Sequence, residues 1–231
     1  MSDLGRWEPL TPLQVVTLFR QHDVHQAWWI AGGYAIELFV GHALRSHADI
    51  DVLLLRRDQH VVHQVLAGWD IQAADPPGQL RPWAAAETLP EHVHDIWCRE
   101  NTSAPWRLQF MIDSSDGQQW HSRRDPRVTR PIDRLGRRTR DGWPYLSPEV
   151  QLYYKAKPAN QLPKDEIDFA AAVPHLDEPA RRWLDQALAL TNPAHHWRDA
   201  LRLSSPTGSP TQGDMIHKCG HFSPTLITAT D

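Results

Sequence analysis

The stretch that decides the fold is residues 29–55, WIAGGYAIELFVGHALRSHADIDVLLL. It reads as a short apolar strand near 28–31, two glycines, a helix near 33–41 and a second strand near 50–55. Ala35, Ile36, Leu38 and Phe39 recur at helical spacing. In an extended ADIDVLLL, alternation sends Asp49 and Asp51 to one face and Ile50 and Val52 to the other. Leu53 to Leu55 indicate burial on both faces. Two ionised carboxylates about 4 Å apart repel by roughly 4 kcal/mol at an effective dielectric of 20. A hard cation such as Mg²⁺, which takes carboxylate oxygens and keeps positions for water and phosphate, removes that cost. The plainer reading of a bare Asp-x-Asp is a frayed strand end in water. Gly32 and Gly33 add context, because they let a phosphate approach the backbone at a helix N-terminus, where free N–H groups favour anions.

With these residues in place the sequence resembles the nucleotidyltransferase superfamily with a polymerase-β-like core. The matching positions are Ile30/Ala31, Gly32, Gly33, Asp49, Ile50, Asp51 and Val52, with a helix in the spacer. The fuller string GGYAIELFVGHALRSHADIDV, with Gly41, Arg45 and His47 at recurrent spacer positions, is most similar to the aminoglycoside 2''-adenylyltransferase-like branch. YLSPEVQLYYKAK and PKDEIDF resemble the helical half of bacterial members, so the likeness spans roughly residues 10–190. The resemblance implies an α+β fold, a small mixed sheet flanked by helices and followed by a C-terminal helical domain. It also implies transfer of AMP from ATP to a hydroxyl of a small molecule, an aminoglycoside being the named expectation, with release of pyrophosphate. Two Mg²⁺ ions are the implied cofactors, and antibiotic resistance the implied role.

Such a site needs a third carboxylate beside Asp49 and Asp51. In WRLQFMIDSS, strand alternation puts Gln109, Met111 and Asp113 on one face, so Asp113 is the expected third catalytic group and metal ligand. Related sequences carry an acid nearer the middle of this strand, where this chain has Gln109. Asp95, in HVHDIWCRE, is the competing choice; the neighbouring His92 and His94 read as surface or packing histidines rather than a transition-metal site. Arg45 and His47 are expected to contact nucleotide phosphate, with a salt bridge as the ordinary alternative. Lys155 and Lys157 either complement a helix C-terminus or reach phosphate across a cleft. Lys164 and Asp168 are spaced for a surface i,i+4 ion pair, while the resemblance offers Lys164 and Asp165 a structural or acceptor-binding role. Trp106, Trp120 and Trp143 are candidates for an acceptor pocket; Trp28, Trp29, Trp183 and Trp197 read as core.

The 231 residues, 41% apolar, suffice for one large domain or two small ones. Two distant cysteines, Cys98 and Cys219, suggest neither a disulfide framework nor a zinc site. No signal peptide or membrane span is evident, so a cytoplasmic location is expected. A net charge of −4 argues against a generic nucleic-acid binder. Eight arginines against two aspartates between Arg123 and Arg140 form a local exception, read as an exposed loop, with triphosphate or RNA contact as the functional alternatives. That cluster is the local support for a second reading, a toxin-like nucleotidyltransferase acting on tRNA or protein; a third is a non-catalytic nucleotide-binding module that has lost its third acid. Thr11-Pro12, Ser147-Pro148 and Asn192-Pro193 mark helices near 12–22, 148–157 and 193–202. Further helices are expected near 59–68, 164–173 and 178–190, with strands near 92–98 and 106–112. A turn-rich passage at 135–147 divides a catalytic domain (1–142) from a helical domain (143–203), and 204–231 reads as a disordered tail.

Overall fold

A computed structural model describes residues 5–157 and 161–203; the expected tail lies outside these residues. Helix α1 (Pro12–Gln21) begins with a capping box in which the Thr11 hydroxyl accepts from the Gln14 amide (3.3 Å) and the Gln14 side chain accepts from the Thr11 amide (2.8 Å). Its buried face, Val15, Val16 and Phe19, packs on the sheet, with Phe19 against Trp28 at 4.1 Å between ring centroids. Strand β1 (Trp28–Ile30), helix α2 (Gly32–Val40) and strand β2 (Asp51–Leu55) follow in the expected order. Helix α3 (Val61–Val65) is shorter than expected and follows a 3₁₀ turn over Arg56–Asp58.

Strands β3 (Asp70–Ala74), β4 (Leu80–Pro82), β5 (Asp95–Arg99), β6 (Leu108–Asp116), β9 (Gly136–Arg138) and β10 (Pro144–Leu146) complete one mixed sheet in the order β4-β3-β5-β6-β2-β1-β10-β9. The β2–β6 and β1–β10 pairs are parallel and the rest antiparallel. The far end of β6 carries β7 (Gln119–His121), which pairs with β8 (Thr129–Pro131). Central β2 and β6 are largely buried, as a strand covered on both faces requires.

Helices α4 (Pro148–Lys155), α5 (Pro163–Ala172), α6 (Glu178–Thr191) and α7 (Trp197–Leu203) form the helical layer. Helices α4 and α5 pack against α2, which ties the layer to the glycine pair. The expected boundary after residue 142 falls inside the β9–β10 hairpin, and β10 is a sheet strand paired with β1. Turn-rich composition marks chain reversal, and a hairpin needs it as much as a linker does.

Two expectations are corrected. Asn192-Pro193 does not open a helix: the Asn192 amide closes α6 on the Leu188 carbonyl (2.7 Å), its own carbonyl accepts from the His195 amide (3.0 Å), and α7 starts at Trp197. A capping residue followed by proline serves a helix end equally well. The arginine cluster is only in part a solvated loop: Arg127, Arg134, Arg138 and Arg140 are exposed, and the other four turn inward. Arg124 donates to the Tyr153, Tyr154 and Ala156 carbonyls (2.6, 2.6 and 2.9 Å), binding the last turn of α4. Arg130 pairs with buried Glu149, and Arg137 reaches Glu149 and Asp177 at 3.6 Å each.

Candidate active site

The C-terminal end of β1 and the start of β2 meet at the glycine pair, where the Ala31 amide donates to the Asp51 carbonyl (2.8 Å). Gly32 has φ +67°, and a Cβ there would collide with the Asp51 carboxylate. A Cβ on Gly33 would run into the ends of the His47 and Arg45 side chains. The space the glycines leave thus admits the acidic strand and the loop before it. The Gly32 amide is also engaged, donating to the buried Gln151 side chain at 2.8 Å. The expectation that this N–H is free for phosphate does not hold, because α4 supplies a side-chain cap across the interface.

Asp49 and Asp51 flank fully buried Ile50, and Asp51 opens β2. Burial, followed by the charges of Asp49 and Asp95, pushes the Asp51 carboxyl up to about 7, against the opposing pull of Arg123 and Lys155. The residue keeps partial surface, but its carboxyl is packed among protein atoms and four neighbouring charges.

The structure does not bring Asp113 to this pair. On β6, Gln109 is the register partner of Asp51, and Asp113 is opposite Leu55. Four residues along a strand is about 13 Å at 3.3 Å per residue. There Asp113 is fully buried: Oδ2 accepts from Trp120 Nε1 (2.8 Å) and the Tyr154 hydroxyl (2.7 Å), and Oδ1 lies 3.6 Å from Arg123. Alternation puts it on the expected face, but the register, which one sequence does not reveal, puts it too far along. Asp95, on β5, is opposite Met111, and its Oδ1 accepts from Gln109 Nε2 at 3.1 Å.

Arg45, His47 and Lys155 are engaged with protein partners. Arg45 forms a fork to Asp168 (3.2 and 2.9 Å), and Lys155 Nζ lies 2.7 Å from Asp168 and 3.3 Å from Asp165. Asp168 and Asp165 are buried, so the expected surface pair of Lys164 with Asp168 is replaced by a buried network that includes no Lys164. His47 Nε2 lies 2.8 Å from Glu37, whose carboxylate also accepts from the Leu44 and Arg45 amides. Burial alone would raise the Glu37 carboxyl, and these donors together hold it below its ordinary value. Sequence reasoning missed Arg123 and Gln151 as site neighbours, since nothing local distinguishes a buried arginine from an exposed one.

Trp106 and Trp120 are buried core residues and not pocket walls. Trp143 does line a cavity of 920 Å³, with Tyr34, Glu37, Tyr145, Arg138 and Arg140. The Tyr34 ring lies 4.0 Å from the His47 imidazole, so this cavity adjoins the acidic rim. His92 pairs with Asp75, and His94 faces the Ile112 carbonyl and Arg56. Among the described residues no group of three or more His, Cys, Asp or Glu is assembled to hold a metal, and no helix is long and apolar enough to cross a membrane.

No curated protein matches the chain. Among solved structures it is similar to the lincosamide antibiotic adenylyltransferase LnuA with lincomycin bound (18% identity, TM-score 0.49, 71% of this chain and 97% of that one). It is also similar to the antibiotic-resistance factor ANT(2'')-Ia in solution (14%, 0.48, 84% and 94%). A third is ANT(2'')-Ia in complex with adenylyl-2''-tobramycin (13%, 0.47, 77% and 95%). Residues 12–132, just over half of the chain, match the family model described as aminoglycoside-2''-adenylyltransferase. With the glycine pair packed on the acidic strand of a mixed sheet, this match shows that the chain is an enzyme belonging to the aminoglycoside-2''-adenylyltransferase family of nucleotidyltransferases.

Proposed function

We propose that the protein transfers AMP from ATP to a hydroxyl of an antibiotic of the aminoglycoside or lincosamide kind, releasing pyrophosphate, in a Mg²⁺-dependent reaction in the cytoplasm. The observation that supports it most is the Asp51 carboxyl, crowded by Asp49, packed into the space left by the missing side chain of Gly32 and drawn up to about 7. Left to itself that arrangement favours a proton, and a divalent cation is the other way to neutralise it. Mg²⁺ is bound through one or two carboxylates plus substrate phosphates rather than by an all-protein cage, so the donor set fits. Asp49 and Asp51 would hold the ion, which when bound would neutralise triphosphate charge and orient the reacting phosphate for in-line displacement.

The chain's own residues do the rest. Arg123, half-buried near Asp51, Asp95 and Asp113, offsets the negative charge of this face. Lys155, held by Asp165 and Asp168, brings a fixed positive charge into the field of Asp51. Gln151 fixes the start of α2 against α4 and keeps the glycine turn rigid. Arg123, Arg124, Arg130 and Arg137 are spent on internal partners, which halves the local support for an RNA acceptor and leaves Arg127, Arg134, Arg138 and Arg140 exposed.

The test is pyrophosphate release from ATP over a panel of aminoglycosides and lincosamides, with and without Mg²⁺. Release is expected only with Mg²⁺ and at least one panel member, and is expected to vanish in folded Asp49→Ala and Asp51→Ala proteins. Full turnover by either variant overturns the site; label transferred to RNA alone overturns the acceptor.

A further inference from the structure

We propose that Asp95 is the catalytic proton acceptor for the antibiotic hydroxyl, held in position by Gln109 from the adjacent strand. This assignment rests on the adenylyl-transfer reading and adds to it the identity of the base. Most carboxylates around the site are already engaged. Asp113 is buried under Trp120, Tyr154 and Arg123; Glu37 is held by His47 and two amides; Asp165 and Asp168 neutralise Lys155 and Arg45. Asp49 and Asp51 are the pair a cation would occupy.

Asp95 differs from all of these. Its side chain is 39% exposed, so a bulky acceptor can reach it. Oδ1 accepts from Gln109 Nε2 at 3.1 Å and lies 4.0 Å from Arg123, while Oδ2 makes no hydrogen bond to the described residues. Gln109 links the two acids, since it is the register partner of Asp51 and its side chain reaches diagonally to Asp95. An amide takes no proton at working pH; it orients a carboxylate without neutralising it. Arg123 lies nearer to Asp113 (3.6 Å) than to Asp95 (4.0 Å), which leaves Asp95 the less committed partner.

In the step, the acceptor hydroxyl gives its proton to Asp95 Oδ2 while its oxygen lone pair forms the new bond to the α-phosphorus. The bond from that phosphorus to the bridging oxygen breaks, and pyrophosphate leaves with the electron pair. Asp95 then returns the proton to solvent.

The test compares Asp95→Asn, Asp113→Asn and the double variant Asp95→Asn/Gln109→Asp with the unmodified protein. Turnover by Asp95→Asn is expected to fall about 10²- to 10⁴-fold, the usual contribution of a general base. Its affinity for Mg²⁺ and a non-hydrolysable ATP analogue, measured by calorimetry, is expected to stay within about threefold. Asp113→Asn is expected to lower the melting temperature, which Asp95→Asn leaves in place. Moving the carboxylate to position 109, beside Asp51, is expected to restore at least about tenfold of the lost rate, an effect no purely structural role produces. Turnover within about threefold of normal in Asp95→Asn overturns the assignment while leaving adenylyl transfer intact. So does a loss of nucleotide affinity beyond about tenfold, which places Asp95 in substrate binding. An unmodified protein that binds Mg²⁺ and ATP yet releases no pyrophosphate with any acceptor overturns the transfer reading itself, and the base with it.

Discussion

Asp51 carries an unusual stability signature. Its carboxyl is drawn from 3.8 to about 7 by burial and by Asp49. Between those values the folded protein binds more protons than the unfolded chain, so stability of the metal-free protein falls as pH rises from about 4 to 7 and levels off above. The full effect is about 4 kcal/mol at most. Urea unfolding across this range should show that slope, and Asp51→Asn should flatten it; an unchanged slope would show that the carboxyl is not raised. Saturating Mg²⁺ should restore stability above pH 7, where the carboxylate is ionised. Gly32 sets a second expectation. Alanine there meets a φ of +67° and the Asp51 carboxylate together, so Gly32→Ala should lose at least about 1–2 kcal/mol from the backbone alone, read by denaturant midpoint. The Asp-x-Asp and Gly-Gly pairs were legible in the sequence because each is a local pattern. Their contact was not, since it forms only when β1 and β2 pair side by side.

At the scale of elements, the loop before β2 is pinned to the helical layer by Arg45, Asp168, Lys155 and Asp165. Asp168→Ala would leave buried Lys155 and half-buried Arg45 without their shared carboxylate, and loss of one partner of a buried pair typically costs about 3–5 kcal/mol. The expected result is a correspondingly lower melting temperature together with reduced ATP affinity, because the same loop carries His47 and Asp49; unaltered stability would show the network to be dispensable. Helix starts at Thr11 and Asp177 were readable because the capping groups are adjacent in sequence. The Asn192-Pro193 start misled because the same residues close a helix as readily as they open one. The short strands β7 to β10 went unseen in a passage of arginines, prolines and glycines, whose pairing is decided by partners far along the chain.

Over the whole molecule, sheet and helical layer are joined by β10 in the sheet and by Arg124, Arg130 and Arg137 reaching α4 and the start of α6. Calorimetry should therefore give one cooperative transition, raised by Mg²⁺ with ATP; two separable transitions would contradict this coupling.

The sequence by itself determined the strand, glycine pair, helix and acidic strand, because periodicity and turn chemistry act over a few residues. That was enough to reach the family and the two acids. Only the tertiary structure decided which side chains stand beside those acids. Parallel pairing of β2 with β6 put Gln109 beside Asp51 and carried Asp113 four residues past it, and the adjoining β5 placed Asp95 within hydrogen-bond reach of Gln109. The physical reason is that alternation fixes the face of a residue, whereas strand register, set by the packing of the entire core, fixes its position along that face.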